Sequence, residues 1–249
     1  ERVRAERTLR GAQDELIQAG KLAVIGQLSA GIAHELNQPL AALRTLSGNA
    51  IRFIERGDEA TARSNLERIA QLVDRMGQIT GHLKVFAHKS SGIPRRVDIR
   101  QVASHAIAIL GQRLRASGTQ VKMSFPAEPL YAQCDANRLE QVLVNLVSNA
   151  LDAMAGMPNP SVVLRATVCQ PMLRLEVRDY GSGLDAEAQA RLFEPFFTTK
   201  EAGVGLGLGL AISSGIVSDF GGTLSGVNHP EGGALFTLEI PLAPETDVK

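Results

Sequence analysis

The stretch from Ala30 to Leu40 constrains the fold of this chain more than any other. As an α-helix it predicts an apolar stripe at spacings of three and four residues. His34 falls about 200° around that helix from Ile32, so we expect its imidazole to leave the apolar face. Pro39 cannot donate a hydrogen bond to the carbonyl one turn earlier, which predicts a bend beyond His34. The pattern suits a nucleophile that another domain must reach, or an ordinary surface histidine. The stripe consists of Ile25, Leu28, Ile32, Leu36, Leu40 and Leu43.

A helical hairpin is predicted for residues 21–89. The first helix stops at Gly57, and Asp58 is a candidate N-cap for a second periodic helix. A lone hairpin would leave much of both apolar stripes in water, so we expect two copies to form a four-helix bundle, which is a homodimer. Residues 1–20 are charged and carry a weak heptad pattern, which predicts a parallel two-stranded signalling helix; a solvated single helix is the alternative. The second stripe consists of Ala62, Leu66, Ile69, Val73, Met76, Leu83 and Phe86.

The pattern changes at residues 90–96, a polar linker that contains Gly and Pro. Residues 97–243 then alternate short strands and helices, and residues 244–249 form a tail. Consecutive strands without crossover helices predict a mixed sheet with helices on one face, an α+β sandwich. The expected elements are strands at 96–99, 120–125, 131–134, 161–169, 173–179, 222–227 and 234–240, and helices at 100–115, at 136 to about 154 with Asp135 as its cap, and within 181–220.

Composition argues against several classes of protein. Lys plus Arg equals Asp plus Glu at 26 each, so nothing points to nucleic acid or to an anionic membrane surface. Cys134 and Cys169 have no metal-type spacing and are expected to be free thiols in a reducing compartment. No apolar run approaches the ~18–20 residues that a membrane span needs, and we expect no signal peptide in this stretch. Because the sequence starts at Glu1 in helical character, we expect a fragment of a longer protein.

One helix of the second half has a polar face. Asn145, Asn149 and Asp152 recur at i, i+4 and i+7, so their oxygen-bearing side chains share one face. Carboxamide and carboxylate oxygens suit Mg²⁺, which keeps several waters and takes phosphate oxygens as further ligands. The alternative is the polar outer face of an ordinary amphipathic helix.

Two loops downstream suit a nucleotide. Asp179 ends a predicted strand, and its carboxylate can accept from the exocyclic amine of adenine, while Gly181 and Gly183 let the base approach the backbone. A hairpin turn would explain the same pattern. A cluster of three phenylalanines then predicts an anchor for a mobile loop, just before Thr199 and Lys200, which are placed to reach phosphate.

The last motif is rich in glycine and opens a helix. Backbone N–H groups and the positive helix end would hold a polyphosphate there. It is not a Walker A loop, since no Gly-Lys-Ser/Thr follows, and it is not a Rossmann turn, since no strand of a βαβ unit precedes it. Each of the four motifs is weak alone, but together and in this order they are a strong signal. The glycines are Gly203, Gly205, Gly207 and Gly209.

In this order the motifs resemble the four nucleotide-binding boxes of the Bergerat-fold ATPases, and the segment around His34 resembles the phospho-acceptor box of sensor histidine kinases. The resemblance covers residues 20–243. The run His34-Glu-Leu-Asn-Gln-Pro-Leu40, with Lys21-Leu-Ala-Val-Ile-Gly-Gln-Leu-Ser before it, looks most like the dicarboxylate-transport sensor kinases. The resemblance implies a helical hairpin in a dimeric four-helix bundle, followed by an α/β sandwich of the Bergerat ATPase type.

The resemblance also implies a role for each candidate residue. His34 would accept the phosphoryl group, and Glu35 would orient or deprotonate its imidazole. Asn149 is similar to the family's Mg²⁺ ligand, with Asn145 assisting, and Asp179 matches the adenine-binding aspartate. The glycines that match the nucleotide loops are Gly181, Gly183, Gly205, Gly207 and Gly209.

Two positions depart from the family pattern. Tyr180 stands where the family usually has Asn, which is expected to alter packing near the base. Gln38 stands where kinases that also dephosphorylate their partner commonly have Thr or Asn, which puts phosphatase activity in doubt.

The expected function is autophosphorylation of a histidine with ATP and Mg²⁺, followed by transfer to an Asp of a response regulator in a two-component system. The chain would be the cytoplasmic region of a bacterial inner-membrane protein, joined to the membrane only through an N-terminal sensor part that it lacks. Two alternatives remain open: a Bergerat ATPase that drives closure without phosphohistidine, and a dimeric scaffold with a degenerate nucleotide site.

Overall fold

The computed structural model describes residues 29–87, 94–200 and 207–244, and the chain divides into two compact units, Glu1–Lys89 and Ser90–Lys249. The signalling helix predicted for residues 1–20, most of the linker, and the last residues of the predicted tail lie outside the described residues. None of the helices in the described ranges has both the length and the apolar character of a membrane span.

The first unit contains an antiparallel helical hairpin, formed by α1 (Ser29–Glu55) and α2 (Glu59–Ala87). The turn between them follows the sequence prediction: Gly57 has a positive φ of 76°, and Asp58 Oδ1 accepts from the backbone N–H of Thr61 at 3.0 Å. Helix α1 continues through Pro39, whose side chain is buried. The turn therefore fixes where the chain reverses and which residues of the two helices face each other.

Small residues fill the contact between the two helices of the hairpin, where Ala50 and Ala62 are both 3% exposed. Larger apolar side chains of the two helices face outward, as expected for a hairpin that buries only part of each stripe. Those side chains are Leu40, Ile51, Ile54, Leu66 and Val73, which are between 47% and 58% exposed.

The second unit is a mixed sheet covered by helices. Its elements are β1 (Arg95–Asp98), α3 (Ile99–Ile109), α4 (Gly111–Ser117), β2 (Gln120–Ser124), β3 (Tyr131–Cys134), α5 (Ala136–Ala153), β4 (Ser161–Cys169), β5 (Met172–Asp179), α6 (Ala186–Arg191), α7 (Gly209–Asp219), β6 (Thr223–Asn228) and β7 (Ala234–Pro241). The five-stranded sheet has the order β2-β4-β5-β7-β6, in which β2 and β4 are parallel and the other pairs are antiparallel. Strand β1 pairs with β3 in a separate two-stranded sheet.

Helix α5 is the centre of this unit, because it packs against α3, α7 and β5. Its N-terminus is capped by Asp135, whose Oδ1 accepts from the backbone N–H of Arg138 at 3.0 Å, as predicted. Its apolar face is fully buried at Leu139, Leu143 and Leu146. The opposite face of α5 is therefore left for polar side chains.

Several predicted ends are shifted by one or two residues, and three features differ more clearly from the sequence prediction. The helix expected at 100–115 is two helices, because Leu110 is buried with φ −84° and ψ 1° and turns the chain before Gly111. Strand β1 begins at Arg95, so the last two residues of the predicted linker are part of the sheet. The short helix α6, capped by Asp185, was not predicted as a separate element.

Candidate nucleotide site

Asp179 ends strand β5 and is almost completely buried, at 2% exposure. Its Oδ1 accepts two backbone hydrogen bonds, from Gly181 at 2.9 Å and from Ala234 at 3.1 Å. Burial raises the pKa of this carboxyl group above its ordinary value, and the two backbone donors and Arg178 oppose that rise. The backbone thus fixes Oδ1 of this buried carboxyl group. Such an arrangement is expected for an acceptor that hydrogen-bonds to a ligand instead of to solvent.

The turn after Asp179 is held at both of its glycines. A Cβ at Gly181 would lie 2.7 Å from the carbonyl oxygen of Ala153, so this turn packs against the last residue of α5. Gly183 has a positive φ of 74°, and a Cβ there would lie 2.8 Å from Asn228 Oδ1. Asn228 in turn exchanges two hydrogen bonds with the backbone of Leu184, both at 2.7 Å. The turn is therefore a fixed structure with no room for side chains at its glycines.

Lys200 connects the phenylalanine-rich segment to α5. Its ammonium donates to Asn149 Oδ1 at 3.1 Å and to Asp152 Oδ2 at 2.6 Å. The other oxygen of Asp152 accepts from Arg113 at 2.6 Å, and Arg113 also donates to Ser148 Oγ at 2.6 Å. The side chains of Asn149 and Asp152 do share one face of α5, as predicted, and in this structure their oxygens converge on a cation.

Asn145 reaches the glycine-rich motif. Its Nδ2 donates to Ser213 Oγ at 3.0 Å, and its Oδ1 occupies the place that a Cβ at Gly209 would need. Gly207 is equally constrained: its φ is 63°, a Cβ there would collide with the backbone of Phe196 and Phe197, and its carbonyl accepts from the backbone N–H of Phe196 at 2.9 Å. The start of α7 is thereby fixed against α5 and against the phenylalanine-rich segment.

All four predicted motifs thus meet along α5, as far as the described residues show. Of the predicted site residues, Gly203 and Gly205 lie outside them. Thr199 is exposed beside Lys200. His34 and Glu35 are consecutive residues of α1, in the other unit.

The structure adds four polar residues that sequence reasoning missed: Arg113, Ser148, Ser213 and Asn228. Their partners are between 35 and 68 positions away in the sequence. Periodicity reveals only neighbours on one element, so no local signal could have found them.

The residues present fit a nucleotide and a divalent cation. The buried Asp179 offers an acceptor, and the oxygens of Asn149 and Asp152 already hold the ammonium of Lys200 as a stand-in for a cation. Within the described residues, no group of three or more His, Cys, Asp and Glu side chains is placed to hold a metal by itself. Mg²⁺ commonly takes phosphate oxygens and water as further ligands.

Two family descriptions match this chain. Residues 24–92 match the His Kinase A (phospho-acceptor) domain, and residues 134–244 match the ATPase family described as histidine kinase-, DNA gyrase B- and HSP90-like. The chain therefore belongs to the sensor histidine kinases, which are protein histidine kinases, and its second unit is an ATP-binding domain of the Bergerat type. The helical hairpin followed by an α/β sandwich, predicted from sequence, is confirmed.

Individual relatives agree with this assignment. The chain is 42% identical over 241 residues to the C4-dicarboxylate transport sensor protein DctB of Pseudomonas aeruginosa, covering 96% of this chain and 39% of that protein. It is 40% identical over 224 residues to DctB of Rhizobium meliloti, covering 90% of this chain and 36% of that protein. The predicted likeness to dicarboxylate-transport sensor kinases is confirmed, and the chain spans about two fifths of the length of these relatives.

Solved structures show the same fold. The catalytic domain of the histidine kinase ThkA, in a nucleotide-free form, matches with a TM-score of 0.54 at 28% identity, covering 59% of this chain and 95% of that chain. ThkA in complex with the response regulator protein TrrA matches with a TM-score of 0.73 at 23% identity, covering 96% of this chain and 68% of that chain. The second match extends the likeness in fold to nearly the whole chain.

Proposed function

We propose that this chain is the kinase part of a two-component sensor, which phosphorylates His34 with ATP and passes the phosphoryl group to an Asp of a response regulator. The observation that supports the proposal most directly is that three nucleotide motifs, separated by up to 30 positions in the sequence, all contact helix α5. Gly181 packs on the end of α5, Lys200 binds Asn149 and Asp152, and Gly209 packs against Asn145.

The proposed nucleotide site assigns a task to each motif. Asp179 accepts from the adenine amine, and Gly181 and Gly183 let the turn after it pack closely against α5 and Asn228. Thr199, Lys200 and the glycines of the α7 loop hold the phosphates. Asn149 holds Mg²⁺ with help from Asn145, and Asp152 lies beside them; the metal would neutralise phosphate charge during transfer.

The proposed acceptor lies on α1, where His34 is followed directly by Glu35. An imidazole nitrogen of His34 attacks the γ-phosphorus, and an N–P bond forms as the bond to the β–γ bridging oxygen breaks. ADP leaves, and Glu35 takes the imidazole proton or orients the ring. In-line attack requires the nitrogen and the phosphorus to approach within ~3–3.5 Å.

The partners follow from the hairpin and from the relatives. Outward apolar side chains on α1 and α2 support a homodimer. A response regulator is the proposed phosphoryl acceptor, since the structurally similar ThkA was solved with one. The relatives named as transport sensors support a place in the cytoplasmic region of a bacterial inner-membrane sensor.

Incubation with γ-labelled ATP tests the proposal. We expect wild-type protein to take up label that is stable in base and lost in acid, and His34→Gln to take up none. His105→Gln is the matched control, because His105 is an exposed histidine of the ATP-binding unit. Label that persists in His34→Gln at the wild-type level would refute the assignment of His34. ATP hydrolysis without any protein-bound label would instead favour the pure ATPase.

A further inference from the structure

Lys200 places a cation where the proposed function needs one. Its ammonium lies 3.1 Å from Asn149 Oδ1 and 2.6 Å from Asp152 Oδ2, and the side chains of Lys200 and Asp152 are 33% and 34% exposed. Asn149 is the residue proposed to hold Mg²⁺. The lysine thus lies between the proposed metal ligand Asn149 and the carboxylate of Asp152, which would offer a divalent cation a second oxygen.

Asp152 is held in this arrangement from a second direction. Arg113 of α4 donates to Asp152 Oδ1 at 2.6 Å and to Ser148 Oγ at 2.6 Å. Arg113 and Lys200 thus take different oxygens of the carboxylate, so Asp152 would keep one cationic partner if Lys200 left.

We propose that Lys200 is an internal substitute for the divalent cation, which holds the metal position in the nucleotide-free protein and is displaced when metal and nucleotide arrive together. An ammonium and a divalent ion cannot share these two oxygens, because cations in contact distance repel strongly in a half-buried site. Phosphate oxygens give the displaced ammonium a new partner of opposite charge. The inference rests on the proposed nucleotide site.

The partial exposure of the ion pair between Lys200 and Asp152 allows Lys200 to exchange this partner for another. An ion pair that is one third exposed is screened by solvent and adds little to the stability of the fold. A divalent ion alone must overcome the repulsion of the ammonium without offering it a new partner, whereas a metal–nucleotide complex supplies one. The consequence is an order of binding, in which the metal enters with the nucleotide and free divalent ions are kept out.

Binding of Mn²⁺ in the absence of nucleotide tests this inference, with free Mn²⁺ followed by electron paramagnetic resonance. We expect Lys200→Met to bind Mn²⁺ about tenfold more tightly than the wild type, because one positive charge next to the site is gone. Lys200→Arg keeps the charge and should bind as weakly as the wild type. Asn149→Ala combined with Lys200→Met should lose the gain, because the second oxygen ligand is absent.

Lys122→Met is the matched control, because Lys122 is an exposed lysine on β2 and should leave Mn²⁺ binding unchanged. The same titration is repeated with a non-hydrolysable ATP analogue. Equal Mn²⁺ affinity of wild type and Lys200→Met without nucleotide, while both bind Mn²⁺ with the analogue, would overturn the role of Lys200 and leave the proposed function intact. Failure of every variant and of the wild type to bind the analogue would overturn both.

Discussion

Asn145 on α5 and Gly209 at the start of α7 are in contact so close that Asn145 Oδ1 leaves no room for a Cβ at position 209. One turn further along α7, Ser213 Oγ accepts from Asn145 Nδ2 at 3.0 Å. A single carboxamide therefore contacts the first two turns of the helix that follows the glycine-rich motif. A side chain at position 209 would have to displace that carboxamide or α7, whether or not a phosphate is bound.

Gly209→Ala should destabilise the second unit by about 1–3 kcal/mol, because the added methyl group must push Asn145 or α7 aside. Gly215→Ala, on the same helix, is the matched control: apart from its chain neighbours and the backbone of its own helix, no atom lies within 4 Å of its Cβ position. Alanine there should raise stability by about 1 kcal/mol, since it is the better helix former. Urea unfolding measures both. Equal effects of the two substitutions would show that the contact with Asn145 does not constrain α7.

Asp179→Asn should weaken ATP binding by about 10- to 100-fold, because a charged acceptor for the adenine amine becomes a neutral amide. The fold should remain, since the amide oxygen still accepts from the backbone of Gly181 and Ala234. Isothermal calorimetry with a non-hydrolysable analogue measures the affinity. Unchanged binding would remove Asp179 from the base site.

The same variant has a pH signature. Burial raises the pKa of Asp179 above its ordinary value of 3.8. Ionisation of this carboxyl group is therefore less favourable in the folded than in the unfolded protein, and the folded protein is less stable at pH values above the raised pKa. Asp179→Asn removes that cost and should be more stable than the wild type near neutral pH. The difference should shrink as the pH falls through the raised pKa toward 3.8, where the wild-type carboxyl group is protonated. A stability difference that is constant over that range would contradict the burial of a titrating carboxyl group.

Sequence patterns predicted the fold well wherever the signal was local. Gly57 and Asp58 mark the turn of the hairpin, and Asp135 marks the start of α5, because chain reversal and capping depend on residues a few positions apart. The bounds of β3 and β4 were predicted to the residue. The break at Leu110 was missed, because helical sequence on both sides outweighed the single Gly111 that follows it.

The candidate site was predictable in its motifs and unpredictable in its contacts. The spacing of Asn145, Asn149 and Asp152 placed them on one face, but no pattern indicated that Lys200 would bind two of them. Arg113 is 39 positions from Asp152, and only the packed fold brings α4 beside α5.

The two cysteines should differ sharply in reactivity. Burial, and secondarily the charge of Asp135, raises the pKa of the Cys134 thiol to about 12, while Cys169 is exposed. Because the thiolate is the reactive form, a disulfide reagent at pH 8 should modify Cys169 quickly and Cys134 only when the protein unfolds. Cys169→Ser should abolish the fast phase. Fast modification of both thiols in folded protein would contradict the burial of Cys134.

The outward face of the hairpin leads to a prediction about assembly. Leu66 and Val73 lie seven positions apart on α2, hence on one side of the helix, and are 52% and 54% exposed in the single chain. Val73→Lys would place a charge in the proposed dimer interface. A two-fold interface contains each substitution twice, so we expect the dimer dissociation constant to rise at least about tenfold.

Sedimentation velocity over a range of concentrations measures that constant. Ile109→Lys is the matched control, because Ile109 is an exposed apolar residue at 59% on α3 of the other unit. It should leave the dimer unchanged, and both variants should bind ATP as the wild type does, since neither residue belongs to the nucleotide site. A Val73→Lys protein that dimerises as tightly as the wild type would show that this face of α2 is not the interface. The proposed four-helix bundle would then need a different pair of surfaces.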